Sequence, residues 1–332
     1  MTRRVWAGSL GFPLIMAARP KPPKPIKPPL LKAGDLVGMI TPASNVPHPE
    51  DSYAKLERNM QAVGLRVRFG DNVRKHAGYV AGPEDARVAD LHAMFADPSV
   101  KAVFCIRGGY GSPQLLDRID YRLIQRHPKV FLGYSDITAM HLAIHQKTGL
   151  VTFHGAAWNR ELTPFTLEHL KRVLFEPGPT GPVPIGPSHT VKTLVPGKAR
   201  GRLTGGNLSL ITSLLGTPYA IDTRGAILMV EDVGEDPFRI DRMFTQLRLA
   251  GKLDGIAGLV WGECHNCVSK TAPPYPMTGV YDRLLSKLKC PVITGLQFGH
   301  TDDQAAWPYG VMAELDATAA TLAITESAFA GR

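Results

Sequence analysis

The stretch KVFLGYSDITAMHLAIHQKTG runs from Lys129 to Gly149. A short apolar run, Val130 to Gly133, reads as a buried strand. A helical pattern follows from about Asp136 to Thr148 and ends at a glycine. Only Tyr134 and Ser135 separate the two. A strand that turns straight into a helix is the corner of a parallel βαβ unit, so this stretch decides the fold class. It also leaves a serine at the corner, with Gly133 two residues before it. Ser135 or Asp136 caps the helix, or Ser135 is a nucleophile held on a sharp turn. The local pattern favours the cap. The glycine that an α/β-hydrolase elbow carries two residues after its serine is replaced here by Ile137.

The same rhythm extends outward in both directions. LVGMI (Leu36 to Ile40), LRVRF (Leu65 to Phe69) and VKAVFCI (Val100 to Ile106) read as strands. Helical patterns fall between them at Ser52 to Gly64 and at Gly82 to Pro98, the second with acids in its first turn and a terminating proline. The expected first unit, 32–178, is an open parallel sheet flanked by helices. Residues 179–197, rich in proline and glycine, read as a linker. In 198–330, Ala199–Gly206, Gly225–Asp232, Ile256–Gly262, Cys290–Gly295 and Tyr309–Asp316 read as strands, and Asn207–Gly216 and Phe238–Gly251 as helices. The expectation is an α/β protein whose C-terminal domain is a smaller, barrel-like α+β unit.

With 44% hydrophobic and 20% charged residues, the 332-residue chain can bury two cores. Its net charge of +9 does not mark a nucleic-acid surface. Arg3, Arg4, Arg19, Lys21, Lys24, Lys27 and Lys32 precede the first acidic residue, and the remaining 31 basic and 29 acidic side chains nearly balance. Residues 1–31 therefore form a basic tail. Arg3-Arg4 before the apolar run Val5–Ala18 predicts periplasmic export through a twin-arginine-type signal, and PKPPKPIKPP predicts an extended spacer. The alternative is a cytoplasmic chain with a disordered tail. The apolar run is too short for stable membrane insertion. Four cysteines do not amount to a disulfide framework, and Cys264–Cys267 is a single CxxC without the second pair that a zinc site needs.

Three more segments carry candidate chemistry. Arg107-Gly-Gly-Tyr-Gly111 follows a strand, and its glycines expose backbone N–H groups to a ligand. Its plainer reading is a glycine turn. Glu231 ends the apolar strand ILMVED, where an ionised carboxylate needs a partner: Arg239 or Arg242 in the plain reading, a catalytic group in the other. His300 lies in the glycine-flanked loop GLQFGHTDDQ, beside Asp302 and Asp303, which are metal ligands or solvated charges. His141 and His145 share a helix face, but Leu142 stands where a zincin motif needs glutamate, so both read as structural. His154 ends a strand and is a candidate to line the cleft.

Five segments in order, RGGYG, GYSDIT, GRLTGGNLSLITSLLGT, LMVEDVGEDPFRIDRMFTQL and GHTDDQAAWPYG, resemble the LD-carboxypeptidases, the serine peptidase family that includes the microcin C immunity proteins. The resemblance runs from about Lys32 to Ala328. It implies a Ser135–Glu231–His300 triad: nucleophile, orienting acid and general base, meeting in the cleft between two domains. It implies oxyanion donors at the backbone N–H groups of Asp136 and Gly109, a substrate contact at Asn207, no metal, no cofactor and a homodimer. The implied activity is hydrolysis of the L,D bond between meso-diaminopimelate and D-alanine in murein tetrapeptides. Arg107 and Arg239 are candidates to read a substrate carboxylate, although the family pattern assigns neither.

Rival readings remain at this level. An immunity-type peptidase acting on a peptidyl-nucleotide would use the same triad and an aromatic residue for the base, with Trp158 the candidate. A non-catalytic binding protein would need Ser135 only as a cap. A nucleotide-dependent enzyme would use RGGYG for phosphate, but the sequence has no Walker lysine to support it.

Overall fold

A computed structural model describes residues 23–156 and 158–331. The predicted export signal lies outside the described residues. The first sheet contains β1 (Leu36–Ile40), β2 (Arg66–Phe69), β3 (Val100–Cys105), β4 (Val130–Gly133) and β5 (Phe153–His154). These five run parallel in the order β5-β4-β3-β1-β2. Helices α1 (Pro49–Val63), α2 (Glu84–Ala96), α3 (Tyr121–Arg126), α4 (Thr138–Thr148) and α5 (Pro164–Phe175) alternate with or follow them. Continuous apolar strands fit a sheet covered on both faces. Val37, Met39, Val103, Phe104, Val130, Phe131 and Leu132 are all inaccessible to solvent.

The second sheet has eight strands. They are β6 (Gly181–Pro182), β7 (Lys192–Val195), β8 (Lys198–Asn207), β9 (Ala226–Val233), β10 (Gly258–His265), β11 (Val292–Leu296), β13 (Met312–Asp316) and β14 (Thr321–Ile324). Their order is β6-β14-β13-β8-β9-β10-β11-β7. The central four are parallel and the outer pairings antiparallel. Helices α6 (Leu208–Ser213), α7 (Pro237–Leu249) and α8 (Met277–Arg283) accompany it.

Four expectations change. The second sheet is open, not barrel-like, because β6 and β7 end it without pairing with each other. The supposed linker 179–197 supplies both of those edge strands, which are too short to leave a periodic signal. The remaining strand, β12 (Trp307–Pro308), pairs antiparallel with β5, so the C-terminal half returns to complete the first sheet. The proline-rich segment is not a free spacer from residue 23 onward. Ile26 N–H donates to Gly149 O, Lys27 pairs with Glu326 at 2.9 Å, and Leu31 is buried. Cys264 and Cys267 form a disulfide. No helix among the described residues is long and apolar enough to cross a membrane.

Candidate active site

Strand β4 delivers the chain to Ser135 in a conformation that only a tightly determined corner retains. Ser135 has φ of 62°, the left-handed region that a β-carbon disfavours. It opens a single 3₁₀ turn, Ser135–Ile137, before α4. Its hydroxyl does not cap that helix. It donates to His300 Nε2 at 2.9 Å, and His300 Nδ1–H donates to Glu231 Oε2 at 2.7 Å. The carboxylate fixes the proton on Nδ1 and leaves the Nε2 lone pair to the serine. Three side chains separated by up to 165 residues thus form one relay, with Ser135 from the first sheet and Glu231 and His300 from the second half of the chain.

Glu231 lies near the end of β9 and is completely buried. Neither arginine expected as its plain partner reaches it: Arg239 pairs with Glu235 at 3.6 Å, and Arg242 lies over the Phe238 ring. Its second contact is Asn207 Nδ2 at 3.4 Å, set by the β8–β9 register that puts Asn207 beside Glu231. A side chain at Gly299 would collide with Glu231 Oε2, so the residue before the histidine has to be glycine.

Asn207, a substrate contact by the resemblance, has its side chain turned inward to the relay. It is 3% exposed, its Nδ2 also donates to Asp232 Oδ1 at 3.1 Å, and its Oδ1 caps α6 by accepting from Leu210 N–H. Sequence reasoning missed Asp232, although it stands directly beside Glu231. It accepts from Asn207 Nδ2, Val233 N–H and both the N–H and hydroxyl of Ser209. Burial, followed by the neighbouring Glu231 charge, pushes its carboxyl up to about 6.

The RGGYG turn packs against the nucleophile. A β-carbon on Gly108 would stand 2.8 Å from Ser135 Cβ and 2.9 Å from Asp136 N. Ser112 ties the two turns together, its N–H donating to Asp136 Oδ2 at 2.8 Å and its hydroxyl to Asp136 O at 2.6 Å. Burial raises the Asp136 carboxyl above its usual range, opposed by the Ser112 donors. Buried Arg87 clamps the turn from behind, donating to Pro42 O, Gly111 O and Gln114 Oε1. No feature of the α2 sequence singles it out. Gly109 has φ of +110° and lines a cleft of about 760 Å³ that runs between the two halves, with Tyr110, Asp136, Ser209 and Tyr219 among its walls.

The other candidates are structural. His141 is bound on both nitrogens, to Thr152 Oγ1 and Gly133 O, and burial lowers it to about 3. His145 bonds Leu150 O. His154 does not line the cleft. It is inaccessible, donates to Phe298 O and stacks on Trp307, and burial pushes it well below its ordinary pKa. Trp158, the expected nucleobase platform, is wholly buried and stacked on Phe104 at 5.2 Å, so it cannot serve that role. Asp303 accepts from Thr163, whereas Asp302 is a solvated charge, its side chain 94% exposed. The described residues include no cluster suited to a metal ion.

Residues 37–155 match the LD-carboxypeptidase N-terminal domain and residues 200–315 the LD-carboxypeptidase C-terminal domain. The chain belongs to the LD-carboxypeptidase family. It is 43% identical over 307 residues to a probable murein peptide carboxypeptidase of Bacillus subtilis, covering 91% of this chain and 94% of that one. Among solved structures, a muramoyltetrapeptide carboxypeptidase from Oxalobacter formigenes is 29% identical with a TM-score of 0.77, over 89% of this chain and 100% of its own. A microcin C7 self-immunity protein has a TM-score of 0.85 at 23% identity, over 92% and 100%, which is a likeness of fold. Family membership makes the chain a hydrolase of the peptidase class.

Proposed function

We propose that this LD-carboxypeptidase is a serine enzyme that removes the terminal D-alanine from murein tetrapeptides by cleaving the bond after meso-diaminopimelate, in peptidoglycan turnover. The observation that carries the reading is the continuous Ser135–His300–Glu231 relay, with hydrogen bonds of 2.9 and 2.7 Å. In this reading His300 takes the Ser135 proton as the oxygen attacks the peptide carbonyl. The same imidazolium then protonates the departing amine, an acyl-enzyme forms, and water hydrolyses it by the reverse route. Glu231, buried and facing Nδ1, stabilises the cation. Asp136 N–H and Gly109 N–H are the oxyanion donors. The left-handed Ser135 backbone and the close approach of Gly108 support that assignment, since donors are useful only where no side chain shields them.

The peptidyl-nucleotide reading loses its aromatic platform with the burial of Trp158. The non-catalytic reading loses its helix cap, because the Ser135 hydroxyl faces His300. The proposal includes periplasmic export. Arg3-Arg4 ahead of an apolar run supports it, and so does the Cys264–Cys267 disulfide, a bond that persists in oxidising compartments. It also includes a homodimer, to be tested by light scattering.

The deciding experiment is D-alanine release from purified murein tetrapeptide by wild type and Ser135→Ala side by side. Release by wild type alone is expected. Release by both would reduce Ser135 to a structural residue, and release by neither would sink the murein substrate.

A further inference from the structure

In an open parallel sheet, ligands sit beyond the carboxyl ends of the strands where the strand order reverses. Here the chain steps from β1 outward to β2, then returns to the other side of β1 as β3. The crevice is therefore bounded by the residues after β1 and the residues after β3. Ser135 follows β4, the next strand along, so the triad does not fill this crevice. Arg107 does. It follows β3 almost directly and folds back under its own turn. Its Nη1 donates to Asn45 O at 3.1 Å, on the β1 side, and its Nη2 lies 3.5 Å from where a β-carbon on Gly109 would stand.

This guanidinium is half-buried and permanently charged, yet among the described residues it makes no ion pair and its only hydrogen-bond acceptor is one neutral carbonyl. Partly desolvated cations usually have an anion beside them. The other arginine considered for the role is engaged differently. Arg239 pairs with Glu235 at 3.6 Å.

We infer that the crevice between the ends of β1 and β3 is a carboxylate subsite in which Arg107 reads the free terminal carboxylate of the substrate. This rests on the peptidase reading for the substrate class, while the site itself rests on the placement of Arg107 beside Gly109. Standard bond lengths put the carboxyl carbon of a terminal residue roughly 3–4 Å from the oxygen of the preceding peptide carbonyl. A cation next to an oxyanion donor is therefore next to that carboxylate. In the interior of a peptide the same position holds a neutral amide. The subsite thus accounts for cleavage at a chain end and not within one.

The test measures binding and turnover separately. Murein tetrapeptide ending in a free D-alanine carboxylate, and the same peptide as its terminal amide, are titrated calorimetrically into Ser135→Ala protein with Arg107 intact, Arg107→Gln or Arg107→Lys. Circular dichroism confirms that each variant is folded. The acid should bind about 10–10²-fold more tightly than the amide, and Arg107→Gln should bring the two within about threefold while Arg107→Lys keeps part of the difference. A preference that survives Arg107→Gln assigns the carboxylate to another cation and overturns the inference, as does the absence of a preference with Arg107 intact. D-alanine release by the serine-intact enzyme reports on the peptidase reading alone. Preference without release leaves Arg107 standing and sinks that reading, release without preference does the converse, and neither sinks both.

Discussion

The two halves of the site are built from different materials. The half contributed by the first sheet is almost all backbone: a left-handed serine, a glycine turn pressed against it, and N–H groups at the start of α4. The half contributed by the second sheet is almost all side chain: a buried glutamate, an asparagine and a second carboxylate converging behind one imidazole. Backbone geometry is rigid and insensitive to pH but depends on what lies next to it. A charged network tolerates small shifts but depends on protonation and on every donor being present. The site couples a steric device to an electrostatic one, and each should fail in its own way.

The sharpest break is removal of the relay. Ser135→Ala should fold normally and lower kcat by about 10⁴–10⁶, and a Ser135→Ala/His300→Ala double variant should be no slower than the single. A multiplicative loss in the double would mean that the two side chains act independently, against their 2.9 Å contact. Next comes the steric half alone. Gly108→Ala inserts a carbon where Ser135 Cβ and Asp136 N already stand. It should cost about 10²–10³ in kcat, the magnitude of one oxyanion donor, with little change in KM. Steady-state kinetics showing near-wild-type turnover would remove the close approach from the mechanism.

The electrostatic half is read through pH. The Asp232 carboxyl has a folded pKa of about 6, above the roughly 3.9 of an unfolded aspartate. The native state then holds the proton more tightly, so this group's contribution favours folding at low pH and is lost as pH rises from about 4 through 6. The loss is on the order of 3 kcal/mol. Asp232→Ala should be less stable throughout, because it orphans the donors on Asn207, Ser209 and Val233. Its stability should also lack that pH-dependent fall. Denaturant melts of both proteins between pH 4 and 7 check the slope, and parallel curves would show that the four donors keep Asp232 ionised across the range. The smallest expected effect is that of a chelator, since EDTA should leave turnover within experimental error in the assay of D-alanine release.

The steric half was also the more legible in the sequence. The strand-to-helix corner at Ser135 and the strand-to-glycine step at Arg107 are local, and a chain fragment is enough to read them. Ser135, Glu231 and His300 were separate candidates, and only the resemblance joined them into a triad, because a partner 165 residues away leaves no local mark. Asn207 is a substrate contact only by the resemblance and Trp158 a nucleobase platform only in the rival reading, whereas both are buried. Asn207 faces inward because the β8–β9 register pairs it with Glu231, and register is a property of two strands, invisible in either. Strands of two and four residues, β6 and β7, are too short for any periodicity, which is why the second sheet lost its edges to a supposed linker.

Strand β12 carries a consequence for how the protein comes into being. Ser135, Glu231 and His300 all precede Trp307, so a chain ending just short of β12 would contain every reacting atom of the relay. It would lack the strand that lies against β5, its Trp307 ring stacked on His154, and the strands β13 and β14 that extend the second sheet beyond β8. The first sheet is therefore complete only when a segment from the far end of the chain has been added to it. Pro308 then closes that sheet's edge with a residue that cannot donate a ladder hydrogen bond, so no further strand can add there by the usual pairing. The same short strand therefore joins the two halves of the chain and ends the first sheet at a proline.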